Sequence, residues 1–146
     1  FRSCFGSFDG GYDGELFDGV LPRIFTETGN HHTDEFPPDE VIANAIFEVD
    51  TAGWAEPWEK LSGRIMDGFT DIAKESEAKG AKNIVIVSHG MTIGTFVKLA
   101  HPELPRPHGL DNGSVTHLSF EDGKFTIGKV GDMSYRKIGS EKLAKK

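Results

Sequence analysis

Cysteine and long apolar runs are what this sequence most lacks. Cys4 is the only cysteine, which excludes an internal disulfide, and without a CxxC pair it cannot anchor a zinc cluster. No run approaches the roughly 20 apolar residues needed to span a bilayer, and no charged-then-apolar leader opens the chain. We therefore expect a soluble, cytoplasmic protein without a membrane partner, in which Cys4 is a small buried apolar residue.

Positive charge is scarce as well. The chain has 16 Lys and Arg against 23 Asp and Glu, a net charge of −7, and no basic stripe that could follow a nucleic-acid backbone. We therefore expect no nucleic-acid partner. The hydrophobic residues, 37% of the chain with 11 Phe, suffice for the core of one domain spanning residues 1–146.

The first half of the chain is predicted to be irregular at its start and helical afterwards. Residues 1–36 are rich in Gly, Asp and Phe and show little periodicity, which is typical of loops and turns. The opening FRSCFGSFDGG reads like the middle of a domain, so we suspect a segment upstream of it. Apolar spacings of three and four predict a helix at about 39–50, and a longer one that follows Pro57 and ends near Gly80.

The second half is predicted to be mixed α/β. Asn83–Ser88 (NIVIVS) has the pattern of a strand buried on both faces of a parallel sheet, and the apolar residues that follow it predict a third helix stopped by His101 and Pro102. The segments SVTHLSF and KFTIGKV flank the turn EDGK and predict an antiparallel hairpin. The basic tail from Ser140 is expected to fray.

A histidine stands at the junction of the predicted strand and the third helix. His89 lies just beyond the carboxyl end of the strand, where open α/β sheets bind ligands. Free backbone N–H groups and the positive end of the helix dipole favour an anion there, and Gly90 allows close approach of a backbone or a ligand. A phosphate is the natural candidate ligand.

His89 has three other possible roles. It could cap the helix or bond a backbone carbonyl, as an ordinary structural histidine does. A GxSxG nucleophile elbow fails, because Ile86 occupies its first glycine position when the motif is aligned on Ser88. A metal site is disfavoured, since no histidine or carboxylate lies three or four residues after His89, and we expect no metal and no cofactor.

Three segments resemble the histidine phosphatase superfamily, the phosphoglycerate mutase-like proteins. FRSCFGSFDG resembles the segment usually written LxExxFGxxEG, EPWEKLSGR resembles the entrance to the family's long helix, and IVIVSHG with the later DNGSV resembles its second histidine strand and the segment after it. The resemblance implies a three-layer α/β/α fold with a mostly parallel sheet and an antiparallel C-terminal hairpin. It covers only the later part of the family's domain, so the fold is expected to be incomplete at its N-terminus.

The resemblance also implies a mechanism. In a complete member, an upstream histidine in an arginine-histidine-glycine motif attacks phosphorus, and a second histidine with a ring of arginines stabilises the charge on the phosphoryl oxygens. His89 would be this second, catalytic histidine, with Gly90 and Asn112 at the substrate. Asn112 and Ser114 could orient the ligand or the loop, and their alternative role is that of ordinary turn formers.

The sequence departs from the family pattern at two points. The only His-Gly pairs are His89-Gly90 and His108-Gly109, and neither follows an arginine, so the nucleophile is expected to be absent from this chain. The position at which the family commonly carries an acidic glutamate holds Arg2, which cannot donate a proton at neutral pH and is instead a candidate phosphate-binding residue. Structural or surface roles are favoured for five further candidates: Glu56, Arg64, His101, His108 and His117.

The predicted function is therefore that of a phosphomonoester hydrolase working through a phosphohistidine. Two alternatives stay open: a phosphate-ligand binding protein without catalysis, and a mutase of the phosphoglycerate type. A serine hydrolase of another fold is a more distant one. The expected partner is a small phosphorylated substrate or inorganic phosphate, and the sequence is compatible with a homodimer.

Overall fold

Helices form most of the regular structure in the part of the chain that is described. The computed structural model describes residues 22–26, 28–29, 37–51, 53–107 and 109–145. Within these residues, a short helical segment at 22–26 is followed in chain order by α1 (Asp39–Val49), α2 (Trp58–Ala78), α3 (Gly90–Ala100), β1 (Leu118–Glu121), β2 (Lys124–Ile127) and α4 (Ser134–Leu143). The three helices expected from apolar spacing are thus confirmed to within about two residues at most of their ends.

The chain divides into two compact units, Phe1–Arg64 and Ile65–Lys146, and the single domain predicted for residues 1–146 stays a prediction. In the described part of the first unit, the apolar face of α1 supplies Ile42 and Ile46 to the core, and both are about 1% exposed. Residues 22–26 are helical, with Ile24 fully buried and Phe25 3% exposed. The expectation of an irregular segment was wrong there, because the tertiary burial of two apolar side chains outweighs a weak local helix signal.

Side-chain oxygens organise the connection from α1 to α2. The Asp50 carboxylate accepts the backbone N–H groups of Trp54 and Ala55 through Oδ2, at 2.6 and 2.5 Å. Asn44 Oδ1 accepts the N–H of Trp58, the first residue of α2, at 2.9 Å. Because the first N–H groups of a helix lack intrahelical acceptors, Asn44 caps α2 from the neighbouring helix and fixes where it begins.

An ion pair follows at the start of α2. Arg64 donates to Glu56 Oε2 from both Nε, at 2.7 Å, and Nη2, while Lys60 lies 3.5 Å from Oε1. Partial burial opposes ionisation of Glu56, but the bonds from Arg64 and Lys60 outweigh it and hold its pKa below the usual value. Both residues therefore have the structural roles expected of them.

Glycine ends α2 as the sequence predicts. Gly80 has φ +70° and donates its N–H to Glu77 O, while Ala81 donates to Ser76 O, both at 2.9 Å. These two bonds form a Schellman motif, which requires a left-handed residue after the helix.

Four phenylalanines pack against one another in the second unit, around one fully buried ring. Phe96 of α3 is 1% exposed; its ring stacks on Phe69 of α2 at 4.0 Å between centroids and meets Phe125 of β2 edge-on at 4.9 Å. Phe120 of β1 completes the cluster, 4.7 Å from Phe125. The cluster thus joins the C-terminal part of α2, α3 and the hairpin.

The hairpin has the register and turn that the EDGK segment predicts. Leu118 pairs with Ile127 and Glu121 with Lys124 in antiparallel register. Asp122 and Gly123 both have positive φ, 50° and 76°, as a two-residue turn of type I′ requires. A further isolated bridge joins Val115 to Asp132 and prolongs the pairing toward α4.

The prediction of a strand buried on both faces at Asn83–Ser88 is wrong for the described residues, because this segment pairs with no other strand there and its apolar side chains are exposed. The hairpin is the only sheet in that part of the chain, and a strand needs a hydrogen-bonded neighbour. Exposure alternates along the segment, with Val85 and Val87 at 89% and 86% against 48% and 37% for Ile84 and Ile86, which is the two-residue period of extended backbone. The parallel sheet and the three-layer arrangement stay predictions.

The C-terminal tail also differs from expectation. Residues expected to fray from Ser140 onward lie largely within α4, which runs to Leu143. Asp132 supplies the start signal: its Oδ1 accepts the N–H of Ser134 at 2.9 Å, as a capping carboxylate does.

His101 connects the end of α3 to β2. Its Nδ1 lies 2.7 Å from Glu103 Oε1, and its Nε2 lies 2.8 Å from the carbonyl oxygen of Phe125. Both neighbours accept hydrogen bonds, so only the doubly protonated imidazolium satisfies both. The bond to Glu103, followed by that to Phe125, raises the pKa of His101 above 6.5.

We predict that this contact makes stability depend on pH. A raised folded-state pKa means that the contribution of His101 is fully present below its unfolded-state value of 6.5 and is lost as pH rises through the folded-state pKa. Urea unfolding of wild type and His101→Gln at roughly pH 6 and pH 8.5 should show a stability difference that shrinks at the higher pH. Glu103→Gln, which keeps the bond to Phe125, should lose part of this dependence. A pH-independent difference would contradict the prediction.

We predict that Phe96→Ala destabilises the chain by about 3–5 kcal/mol, because a fully buried ring leaves a cavity among the other phenylalanines. Urea unfolding would measure it. Thr126→Ala, on the exposed face of β2, is the control and should change the free energy of unfolding by no more than about 0.5 kcal/mol. A loss for Phe96→Ala below about 1 kcal/mol would show that the cluster does not hold this unit together.

Candidate functional site

His89 lies at the start of α3, and its side chain does not stabilise the helix. His89 is the N-cap residue, with φ −105° and ψ 151°, and its ring makes no capping bond. Its carbonyl oxygen accepts the N–H of Ile93 at 2.9 Å. The imidazole is exposed, and no described residue hydrogen-bonds to it, so the ring does not have the structural role weighed as the alternative.

Ser88, directly before this histidine, carries a buried hydroxyl with no hydrogen-bond partner in the described part of the chain. A buried polar atom without a partner is costly and rare in proteins, and such atoms often mark a functional position. Together with the first-turn N–H groups of α3, which have no acceptor within the helix, Ser88 and His89 give this corner several hydrogen-bond donors and a positive potential.

The segment that contains Asn112 lies next to this corner. A Cβ added at Gly90 would be 3.7 Å from Leu110 Cβ and from Leu110 O, so α3 begins in close contact with Leu110. A turn follows, in which Ser114 donates to Asp111 O at 3.0 Å and Gly113 has φ +80°. The structure therefore brings Gly90 close to the segment that leads into the turn of Asn112.

The predicted site residues lie in different parts of the structure. Gly90 is the first residue of α3, and Asn112 is exposed in the turn, where its carbonyl oxygen accepts a bond from Arg136 Nη1 at 3.3 Å. Ser114 has the turn-forming bond of its alternative role. Arg2, Cys4 and His108 lie outside the described residues.

Arg136 is a residue near this loop that the sequence patterns did not indicate. It lies in the first turn of α4, and its Cδ would be 3.8 Å from a Cβ at Gly113. Asp132 could have indicated the start of α4, and with it Arg136, because an aspartate before a polar segment is typical of a helix cap. Gly139 and the absence of an apolar period hid the helix itself.

A charged network precedes α4. Asp132 Oδ1 accepts a bond from Lys129 Nζ at 2.9 Å, and Oδ2 lies 3.8 Å from His117 Nε2. The bond from Lys129, with a smaller contribution from the N–H of Ser134, lowers the pKa of Asp132 to about 2. His117 also lies beside the ring of Tyr135, with 5.8 Å between centroids. His117 and His101 thus both contribute to the packing of this unit.

Two further properties concern metals and membranes. Within the described ranges, no group of three or more His, Cys, Asp or Glu side chains is arranged to hold a metal ion. None of the helices there combines the length and the apolar character needed to cross a bilayer.

The profile of the histidine phosphatase superfamily (branch 1) matches residues 28–133, more than two thirds of the chain. The chain belongs to the histidine phosphatase superfamily. Among solved structures, a phosphoglycerate mutase from Bacillus anthracis str. Sterne is similar to this superfamily member, with 29% identity, a TM-score of 0.78 and 90% of the present chain covered. No curated protein matches the chain.

These findings confirm the resemblance and the α/β class. The chain spans 58% of the length of the phosphoglycerate mutase that it matches, so the activity of a whole superfamily member is a proposal for this chain. The matched region includes Ser88, His89, Gly90 and Asn112, and Arg136 lies just beyond it.

We predict that Ser88→Ala leaves the free energy of unfolding unchanged or raises it by up to about 1 kcal/mol, because it removes a buried hydroxyl that has no partner. The same change should weaken the binding of inorganic phosphate, about 2- to 10-fold, if that hydroxyl donates to the ligand. Urea unfolding and calorimetric titration measure the two effects. Ser119→Ala, at an exposed position of β1, is the control. A clear loss of stability in Ser88→Ala would assign the hydroxyl a structural role.

Proposed function

We propose that this chain forms the phosphate-binding part of a phosphomonoester hydrolase that works through a phosphohistidine, with His89 as its second histidine. The observation that carries the proposal is the exposed imidazole of His89, which occupies the N-cap of α3 without capping it. Membership of the histidine phosphatase superfamily supports the reaction class.

The chemistry of the corner suits a phosphoryl group. A phosphate carries negative charge on several oxygens, and each can accept a hydrogen bond. The first turn of α3 supplies backbone N–H groups and the positive end of the helix dipole, the Ser88 hydroxyl can donate one bond, and the His89 ring can donate another. Donors held in place before the reaction stabilise the charge that develops on the equatorial oxygens.

The proposed reaction has two displacements. The nitrogen of a nucleophilic histidine attacks phosphorus, an N–P bond forms, the P–O ester bond breaks, and the leaving oxygen takes a proton from water. Water then attacks the phosphohistidine and releases inorganic phosphate. His89 would stabilise both transition states rather than form the covalent bond.

A second candidate is binding of a phosphorylated ligand without turnover. It is favoured by one sequence observation: neither His-Gly pair, His89-Gly90 or His108-Gly109, follows an arginine. The mutase alternative is supported by the name of the similar solved structure. A mutase transfers the phosphoryl group to a second alcohol, so its substrate loops would have to hold the intermediate away from water.

The experiment that separates these candidates uses the full chain with p-nitrophenyl phosphate, and with inorganic phosphate in a parallel titration. Hydrolysis together with an acid-labile phosphoenzyme supports the hydrolase. Binding of phosphate without turnover supports the ligand-binding alternative. Transfer to an added phosphorylated acid in preference to water supports the mutase. Absence of both binding and turnover would contradict the proposed site.

In a version that also carries the nucleophilic histidine, we predict that His89→Ala lowers the hydrolysis of p-nitrophenyl phosphate about 10²- to 10³-fold, the effect of removing one charge-stabilising donor. If the chain binds without turnover, the same variant should weaken phosphate binding instead. His117→Gln is the matched control, because it removes an imidazole of the same unit that packs beside Tyr135, and it should retain activity within about twofold. Near-normal activity of His89→Ala would remove His89 from the mechanism.

A further inference from the structure

The side chains of α4 are all exposed. None of its ten residues is buried, and the apolar side chains of Tyr135, Ile138 and Leu143 are about half exposed or more. A helix of this length is marginally stable in water unless packing covers part of its surface. A partner that covered these three side chains would therefore stabilise α4.

Cations accompany the apolar side chains of this helix. One side of α4 and of the turn that follows it is formed by five residues, here named the basic face: Tyr135, Ile138, Lys142, Leu143 and Lys145. Four of them recur at spacings of three and four residues, which align side chains along a helix. Neither lysine forms an ion pair with a described residue, and residues 134–146 carry five Lys and Arg against one Glu. A partner that fits this face is apolar and acidic.

A surface of that character lies in the first unit. Four exposed residues, here named the acidic face, lie on α1 and in the connection after it: Glu40, Phe47, Glu48 and Trp54. Both aromatic side chains are about half exposed, and the N–H of Trp54 is bonded to Asp50 directly after α1. Neither glutamate forms an ion pair within the described residues. Residues 1–64 carry 13 Asp and Glu against four Lys and Arg, so the charge of this unit is opposite to that of α4.

The two faces complement each other in charge and in apolar character. Exposed apolar side chains gain free energy when they are buried together, and opposite charges around them select the partner and its orientation. A second copy of the chain supplies the acidic face, whereas an anionic membrane would repel a chain with a net charge of −7. Contact between α4 and the α4 of another copy would bring like charges together. The charge distribution therefore favours the acidic face of a second copy.

We propose that two copies of this chain pair reciprocally, with the basic face of each copy on the acidic face of the other. Such a pairing is two-fold symmetric and closes with two copies. Because each contact involves few side chains, we expect a weak dimer with a dissociation constant in the micromolar range. The inference goes beyond the proposed function and does not depend on the phosphate site.

Sedimentation velocity of the full chain over the micromolar range tests the pairing. Wild type should change from monomer to dimer with concentration, and salt at about 0.5 M should weaken the dimer. Glu40→Lys/Glu48→Lys and, separately, Lys142→Glu/Lys145→Glu should each raise the dissociation constant at least about 10-fold, since like charges then meet in both contacts. An equimolar mixture of these two variants should dimerise again, because each contact then joins opposite charges. Ile138→Ser, which changes no charge, should also weaken the dimer.

Asp71→Lys/Glu77→Lys is the matched control, because it makes the same change of net charge at two exposed positions of α2. Its dissociation constant should stay within about twofold of that of wild type. Mixed with Lys142→Glu/Lys145→Glu, it should fail to restore the dimer, although the net charges equal those of the restoring mixture. Restoration by this control mixture would overturn the inference in favour of general charge attraction.

Three other results would overturn the inference. The first is a wild-type chain that stays monomeric at every concentration. The second is a monomer that binds vesicles of phosphatidylcholine and phosphatidylserine, which would assign the basic face to a membrane. The third is a dimer that survives both face variants but is lost in Val85→Lys, which would place the contact at a different exposed apolar segment.

Discussion

The ring of Phe96 positions α3 in the second unit of this protein. It is buried between Phe69 of α2 and Phe125 of β2, so α3 can neither rotate about its axis nor slide without breaking two aromatic contacts. His89 stands at the other end of the same helix, two turns away. The position of His89 therefore depends on a packing contact with no chemical role of its own.

Besides the aromatic packing, polar side chains determine where helices and connections begin. Asp50, Asn44 and Asp132 each accept backbone N–H groups where a helix or a connection begins. Such bonds specify position more than they add stability, because each replaces a bond to water. In the second unit, Asp132 lies between the hairpin and α4, and its lowered pKa keeps it ionised at all physiological pH values. The start of α4, and with it Arg136, is fixed by this carboxylate.

Local patterns predicted the helices and the hairpin because their information is local. The spacing of Ile42 and Ile46, the glycine after α2 and the Asp-Gly pair of the turn each act within a few residues. The strand at Asn83–Ser88 could not be settled this way, since its assignment depends on neighbours far along the chain. α4 was missed because its residues are exposed and its start signal is a single aspartate.

The same limit applies to the site. His89 and Gly90 follow from their place between an apolar run and a helix, so the sequence alone indicates them. The buried, unpartnered hydroxyl of Ser88 and the anchored guanidinium of Arg136 are three-dimensional facts: the first depends on what surrounds an atom, and the second on a contact across 24 residues. Neither feature produces a recurring residue spacing, so a sequence pattern cannot indicate it.

The exposed run Ile84–Val87 has a consequence for the behaviour of the chain in solution. These four consecutive apolar residues are all β-branched and exposed, and their exposure alternates as in extended backbone, the conformation that templates cross-β association. Only Lys82 places a charge close by on the N-terminal side. Self-association of this chain is therefore expected to rise with protein concentration, and a charged residue at Val85 or Val87 would act as a gatekeeper against aggregation.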